Sequence, residues 1–412
     1  MRTVRSLVAL SVALLWVGGA AAQPTPSRLT LPGSQRQLEI LQVGEGQTTV
    51  VFESGFATGW PTWRRVLPGL AAQARLLAYS RAGVGASDPA PAVPTVDDRV
   101  RDLEGLLLAA KVPAPYVMVG HSYGGLVVRA FAARHPEQVA GLVLVDPATE
   151  TYTPALRKVD AQRADADDTA LMQRAPARFK AEYEGVMRAL AEGRSVEARP
   201  LPQLPTVLLT SIKQEWPDLI AFSPAGREVW RQEHARWLAP QRNSLHWVTD
   251  VSGHHIQQEE PDLVVQAVQA VIKLAQAKAE RQAQAERRAR LDQGLAALKL
   301  TANPALRAEV DALLQASQIG EAEINRLGYR FLAAEPQRAL GQALLAHNAE
   351  RFPHSVNAQD SHGEALLQSG QAQAARTLFL RALDLAKSQS APTAQVQAIE
   401  ANLRKSEIAL KP

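Results

Sequence analysis

Between residues 35 and about 270, short and mostly continuous apolar runs alternate with stretches whose apolar positions recur at helical spacing. Strands buried on both faces have this continuous apolar character, and their alternation with helices predicts an α/β fold with a mostly parallel, doubly wound sheet. The predicted strands are residues 49–53, 75–80, 116–120, 139–146, 205–211 and 244–251, with 37–43 as an outer strand of the same sheet. Residues 147–204 are too many for a simple connection. Rich in Ala, Arg, Asp and Glu with scattered Leu, Met and Tyr, they predict an inserted set of helices, placed at the strand ends to act as a lid. From residue 262 to about 300 the chain is rich in Ala, Gln, Lys and Arg, with Gly294 its one helix-weakening residue. It predicts the last sheet-covering helix followed by a helical linker.

A weak internal repeat follows. Leu327-Gly328 with Phe331-Leu332, Ala339 and Leu344 recur 35 residues later as His362-Gly363 with Leu366-Leu367, Ala374 and Phe379. This spacing of small and large apolar positions predicts stacked helix–turn–helix units. It resembles tetratricopeptide repeats (TPR), with Pro353 near the end of the first unit. About three units are usually needed for stability, so residues 394–410 are expected to cap the stack and the linker helix to close its other end. The expected organisation is a signal at 1–22, a sheet domain at 23–275 with its insertion at 147–204, a linker at 276–320 and a TPR-like helical domain at 321–412.

At the N-terminus, Arg2 and Arg5 precede an apolar run from Leu7 to Val17 that closes in Gly18-Gly19-Ala20-Ala21-Ala22. This is the make-up of a cleavable secretory signal, and the run is shorter than the roughly 20 apolar residues of a membrane span. Cleavage after Ala22, export to a periplasm or out of the cell, and no stable membrane anchor afterwards are expected. The chain has no cysteine, which rules out disulfides and thiolate chemistry. A length of 412 residues implies two folded units, and 46% hydrophobic with 21% charged residues sets the chain apart from disordered and fibrous classes. The net charge of +4, to which Arg2 and Arg5 contribute, is too small to argue for nucleic acid. The basic cluster Lys278, Arg281, Arg287, Arg288 and Arg290 is interleaved with Glu280, Glu286 and Asp292, as on a solvated helix face.

The sharpest chemical signal is Gly120-His121-Ser122-Tyr123-Gly124, entered by the apolar run Val117-Met118-Val119 and left by residues at helical spacing. A G-x-S-x-G pattern is weak by itself; between strand and helix it puts Ser122 on a sharp turn that lifts its hydroxyl above the sheet edge. Side chains at Gly120 and Gly124 would collide with neighbouring elements there, and the helix N-terminus favours negative charge. A serine hydroxyl is a poor nucleophile until a base takes its proton. His254, in Ser252-Gly253-His254-His255 after the last predicted strand, lies on the same sheet edge; His255 is its rival, and His246 falls within a strand as a packed or hydrogen-bonded core residue.

These motifs, with Glu53-Ser54-Gly55-Phe56 and the loop Ser80-Arg81-Ala82-Gly83-Val84-Gly85-Ala86-Ser87-Asp88, occur in the order seen in α/β-hydrolases, which residues 35–275 resemble. The resemblance implies the α/β-hydrolase fold and favours His254 as the base. It also implies an oxyanion hole made by the backbone N–H groups of Phe56 and Tyr123, although Glu53-Ser54-Gly55 replaces the His-Gly pair of many relatives. Arg81 and Asp88 are expected to pin their loop. Three carboxylates compete for the third catalytic position. Most relatives carry the acid after the strand at 205–211, where Glu215 and Asp218 lie without the usual Gly-x-x-Asp spacing; some carry it where Asp146 closes the preceding strand, and Asp146 is preferred.

A serine nucleophile leaves acyl transfer, with hydrolysis of a small-molecule carboxylic ester as the default. No histidine and carboxylate cluster has metal-ligand spacing and no Gly-rich phosphate loop follows a strand, so neither metal nor cofactor is expected. The competing function is an interaction protein: a hydrolase fold kept as an inactive scaffold, with residues 321–412 recruiting a protein partner.

Overall fold

The structure, a computed structural model, describes residues 25–90, 93–191, 201–216, 218–298, 304–333 and 336–411. The signal read over residues 1–22 lies outside them, as do parts of the insertion and of the linker. The chain divides into two compact units, Met1–Ala277 and Lys278–Pro412.

The first unit is built on eight strands: β1 Ser27–Thr30, β2 Gln37–Val43, β3 Thr48–Glu53, β4 Ala74–Tyr79, β5 Tyr116–His121, β6 Val139–Val145, β7 Thr206–Ser211 and β8 Ser244–Thr249. They form one sheet in the order β1-β2-β4-β3-β5-β6-β7-β8, parallel from β4 onward, with β1 and β2 antiparallel. The helices between them are α1 Val96–Ala110, α2 Tyr123–Arg134, α3 Tyr152–Val159, α4 Ala161–Arg174, α5 Lys180–Ala191 and α6 Pro224–Leu238, and α7 Ile256–Glu259 and α8 Pro261–Ala297 follow β8. Every residue of β5 and β7 is buried. Alternate strand residues feed two cores: Val51, Met118, Leu142 and Leu208 meet α1 and α2 on one face, and Val50, Val119, Val143 and Leu209 meet Val264, Val268 and Val271 of α8 on the other. This two-sided burial is why the strands are continuous apolar runs.

Two expectations about strands differ from the structure. β1 was not foreseen, because Ser-Arg-Leu-Thr is short and mostly exposed. The last strand was expected to be buried on both faces; β8 is an edge strand with Leu245 and Val248 exposed, since it has a neighbour on one side only.

The described part of the insertion between β6 and β7 is helical, α3 to α5. In the second unit, α10 Glu321–Leu332, α11 Arg338–Arg351, α12 Val356–Gln368, α13 Ala372–Ser388 and α14 Thr393–Ala409 each pack against the next, and α9 Pro304–Ser317 packs against α11. Leu291, Leu295, Leu306, Val310 and Leu314 join Leu327 and Leu344 in one core, so the segment read as a linker supplies part of this unit's interior. Gly328 of α10 lies against Leu345 of α11, and Gly363 of α12 against Phe379 of α13. A Cβ on either glycine would come within 2.6 Å of that neighbour, so each lets its helix pair approach closely.

Candidate active site

The parallel register brings the C-terminal ends of β5, β6 and β7 to one sheet edge, with the loop after β8 beside them. Ser122 follows β5 directly and has φ +52°, a region L-residues rarely occupy. Its N–H donates to Val145 O at 3.1 Å and its carbonyl accepts from Ala148 at 3.0 Å, which ties the turn to the end of β6. Ser122 stands at the N-cap of α2 without making a side-chain cap, so Oγ is not committed to the helix. The turn depends on close backbone approach. A Cβ on Gly124 would lie 2.5 Å from both Glu53 O and Ser54 O, and one on Gly120 would lie 2.7 Å from Gly124 O.

Asp146 is the residue after β6, fully buried, with φ +44°. Its Oδ1 accepts from Ser211 N at 2.9 Å and from Trp230 Nε1 at 2.7 Å; its Oδ2 meets His254 Nδ1 at 2.7 Å. Burial pushes this carboxyl upward, but the hydrogen bond from His254 and the charges of His254, His234 and Arg227 outweigh it and hold the group at about 2. Asp146 is therefore an anion, and the ring that donates to it carries its proton on Nδ1, leaving Nε2 as the acceptor nitrogen of a ring that lines the same cavity as Ser122.

The loop that carries His254 is held by three carboxylates. Glu260 accepts from Ser252 N at 3.1 Å, Glu259 from Gly253 N at 3.1 Å and Glu215 from His254 N at 2.9 Å. Of the three candidate acids, then, Asp146 meets the imidazole, Glu215 meets the backbone of the same residue, and Asp218 is exposed. His255 is exposed, and His246 bonds Thr210 Oγ1 at 2.7 Å within β8.

Gly55 packs against the elbow: a Cβ there would lie 2.6 Å from His121 Nδ1 and 3.4 Å from Ser122 Cβ. The next residue, Phe56, packs edge-on against Phe179 and Tyr183 of the insertion. Arg81 braces this loop, pairing with the buried Glu53 and donating to Ser54 O and Gly55 O while stacking 5.2 Å from the Tyr123 ring. Asp88 accepts from Gln37 N at 2.7 Å and from Arg28, so both charges foreseen as loop pins lie against backbone.

Two residues that sequence reasoning did not single out belong to the site. Trp230, on α6, donates to Asp146. His121, the variable position of the serine motif, is buried and donates from Nε2 to His254 O at 2.8 Å. Burial, together with His254 and His255 nearby, pushes His121 well below the usual imidazole range, so it is neutral.

Ser122, His254, Phe56 and Tyr123 line a cavity of about 350 Å³. Its other walls come from α3 to α5 and from the segment after β7, and include Leu156, Leu171, Met187, Leu190, Trp216 and Phe222. Cavities of this size and apolar character take small organic molecules.

Strand order, the serine turn and the acid and histidine at the strand ends together define the class: the first unit has the α/β-hydrolase fold. Residues 48–187 match the family model described as alpha/beta hydrolase fold. The chain is 29% identical over 231 residues to the uncharacterized protein YqjL of Bacillus subtilis, covering 55% of this chain and 83% of that one. It is 33% identical over 171 residues to 2-hydroxymuconate semialdehyde hydrolase of a Pseudomonas species, covering 41% of this chain and 60% of that enzyme. Among solved structures it is similar to a thermophilic esterase from Thermogutta terrifontis, with 20% identity, a TM-score of 0.41, and coverage of 61% of this chain and 99% of that one.

Proposed function

We propose that this protein is a serine hydrolase acting on small carboxylic esters through an acyl-enzyme on Ser122. The observation that carries the reading is the 2.7 Å contact between Asp146 Oδ2 and His254 Nδ1, behind a cavity that His254 lines together with Ser122 on a positive-φ turn. His254 Nε2 takes the hydroxyl proton as Ser122 Oγ adds to the ester carbonyl, and Asp146 stabilises the imidazolium. The backbone N–H groups of Tyr123, at the N-terminus of α2, and of Phe56 receive the developing oxyanion. Collapse expels the alcohol, which takes the proton from His254. Water, giving a proton to His254, then attacks the acyl carbonyl; the Ser122 Oγ–acyl bond breaks, the carboxylic acid leaves, and Oγ takes the proton back from His254.

The insertion of α3 to α5, whose residues line the cavity, acts in this reading as the lid that sets specificity. Residues 1–22 direct export, on the sequence pattern alone. The second unit is a TPR-like stack, a reading with which the paired helices and their contact glycines are compatible, and it offers a surface for a protein partner.

The test is burst and steady-state hydrolysis of short-chain p-nitrophenyl esters by the protein and by Ser122→Ala and His254→Ala. Loss of turnover by roughly 10⁴-fold or more in folded variants is expected. Absence of turnover in the unaltered protein, together with failure of a fluorophosphonate to label Ser122, overturns the reading and favours the inactive scaffold.

A further inference from the structure

Arg227, the fourth residue of α6, lines the same cavity as Ser122 and His254 and is only 5% exposed. Its one hydrogen bond is a long one, from NH1 to Ser211 O at 3.5 Å, and its guanidinium carbon stacks 4.1 Å from the centre of the Phe222 ring. Its Nε is buried without a hydrogen-bond partner, and among the described residues no carboxylate lies within the 4.0 Å of an ion pair. Asp167 and Asp168 line the same cavity and Asp146 lies behind His254, and each of these acids is already engaged. Asp146 already accepts from Ser211, Trp230 and His254; Asp167 accepts from Ala221 N at 2.8 Å; Asp168 faces Arg157 at 3.5 Å. Thr149 Oγ1, on the same cavity wall, is also buried without a partner.

Arg227 feels the charge of the Asp146 carboxylate but has no carboxylate in ion-pair contact, and a buried guanidinium so left is unfavourable, because burial removes the water that stabilised its charge. With one face against Phe222, its edge donors are the ones left for a ligand, and a planar fork of N–H groups matches a carboxylate. Thr149 adds a hydroxyl donor. We propose that Arg227 anchors a carboxylate carried by the substrate, so that Ser122 acts preferentially on anionic esters such as half-esters of short dicarboxylic acids. The proposal rests on the hydrolase reading above and names the substrate class for it.

The test compares kcat/KM for p-nitrophenyl hemisuccinate and hemiglutarate, for the neutral butyrate and valerate, and for a cationic trimethylammonium butyrate ester. A second set, with 4-acetoxybutyrate against butyl acetate, places the carboxylate on the alcohol side. In the unaltered protein at least one anionic ester is expected to exceed its neutral match tenfold or more. The ratio should fall to near one in Arg227→Gln and persist in part in Arg227→Lys, with glutarate inhibiting competitively where glutaramide does not. An anionic-to-neutral ratio at or below one in both sets, a preference for the cationic ester, or a ratio that survives Arg227→Gln overturns the proposal. If Arg227→Gln does not fold, the ratios and the glutarate comparison in the unaltered protein decide it. If no ester is turned over and Ser122 does not label, the hydrolase reading fails by itself. Calorimetric titration of glutarate into Ser122→Ala and into Ser122→Ala with Arg227→Gln then decides the anchor: binding lost only in the double variant supports it, and equal or absent binding overturns it.

Discussion

Trp230 Nε1 donates to Asp146 Oδ1 at 2.7 Å, so the carboxylate that holds His254 is itself held from α6. The folded protein keeps this carboxyl at about 2, below its ordinary 3.8, so between these values the unfolded chain binds the proton more readily. Stability from Asp146 is therefore fully present above about pH 4 and is lost as pH falls through about 2. The increment is about 2 kcal/mol. Melting of the protein and of Asp146→Asn between pH 5 and 2 checks this: the unaltered protein should lose its margin over the variant as the acid titrates.

Asp146→Asn should lower kcat by roughly 10⁴-fold, the cost of a misoriented imidazole that has lost its counter-charge. Glu215→Gln keeps an acceptor for His254 N and should cost less than about tenfold, because it touches the backbone of His254 and not its ring. Steady-state ester kinetics on the two variants distinguish a catalytic acid from a loop anchor. Comparable losses in both would sink the assignment of Asp146.

At Ser122 the usual preference for alanine over glycine should invert. The positive φ strains any residue with a Cβ, at a cost of about 1–3 kcal/mol. Ser122→Gly is expected to be more stable than Ser122→Ala by roughly 1 kcal/mol, although both are inactive. Urea unfolding of the two variants measures the difference.

Gly124→Ala should destabilise the first unit by about 1–3 kcal/mol, since the added methyl meets two carbonyl oxygens at 2.5 Å that are fixed in the loop after β3. Chemical denaturation reports the loss, and a fall in kcat should accompany it because the collision displaces the turn under Ser122.

Arg81→Met leaves Glu53 buried without its cation and releases the carbonyls of Ser54 and Gly55. A stability loss of roughly 3–5 kcal/mol is expected. Where the variant remains folded, kcat should fall more than KM rises, because the loop carrying the Phe56 N–H loses its brace.

Much of the site was legible because its signals are local. An apolar strand, a glycine-flanked serine and an apolar helix are contiguous in sequence, and van der Waals crowding at Gly120 and Gly124 forces the turn. His254 was legible as the histidine after the last strand. Trp230, His121 and Arg227 were not: a tryptophan and an arginine on a helix, and the free position of a motif, carry no local signature, and their contacts span 84, 133 and 16 residues.

By itself the sequence determined the alternation of buried strands and helices, the serine turn, the insertion before β7 and the helical character of the C-terminal part, all through periodicity and steric demands acting within a few residues. The sequence preferred Asp146 among three carboxylates, and the tertiary structure decided which of them meets His254. All three are carboxylates that could orient an imidazole; in the fold Asp146, at the end of β6, meets the ring, Glu215 the backbone of His254, and Asp218 is exposed. The tertiary structure also decided that Arg227 lies buried in the wall of the cavity that Ser122 lines, because charge burial depends on what surrounds a side chain and not on its neighbours in sequence.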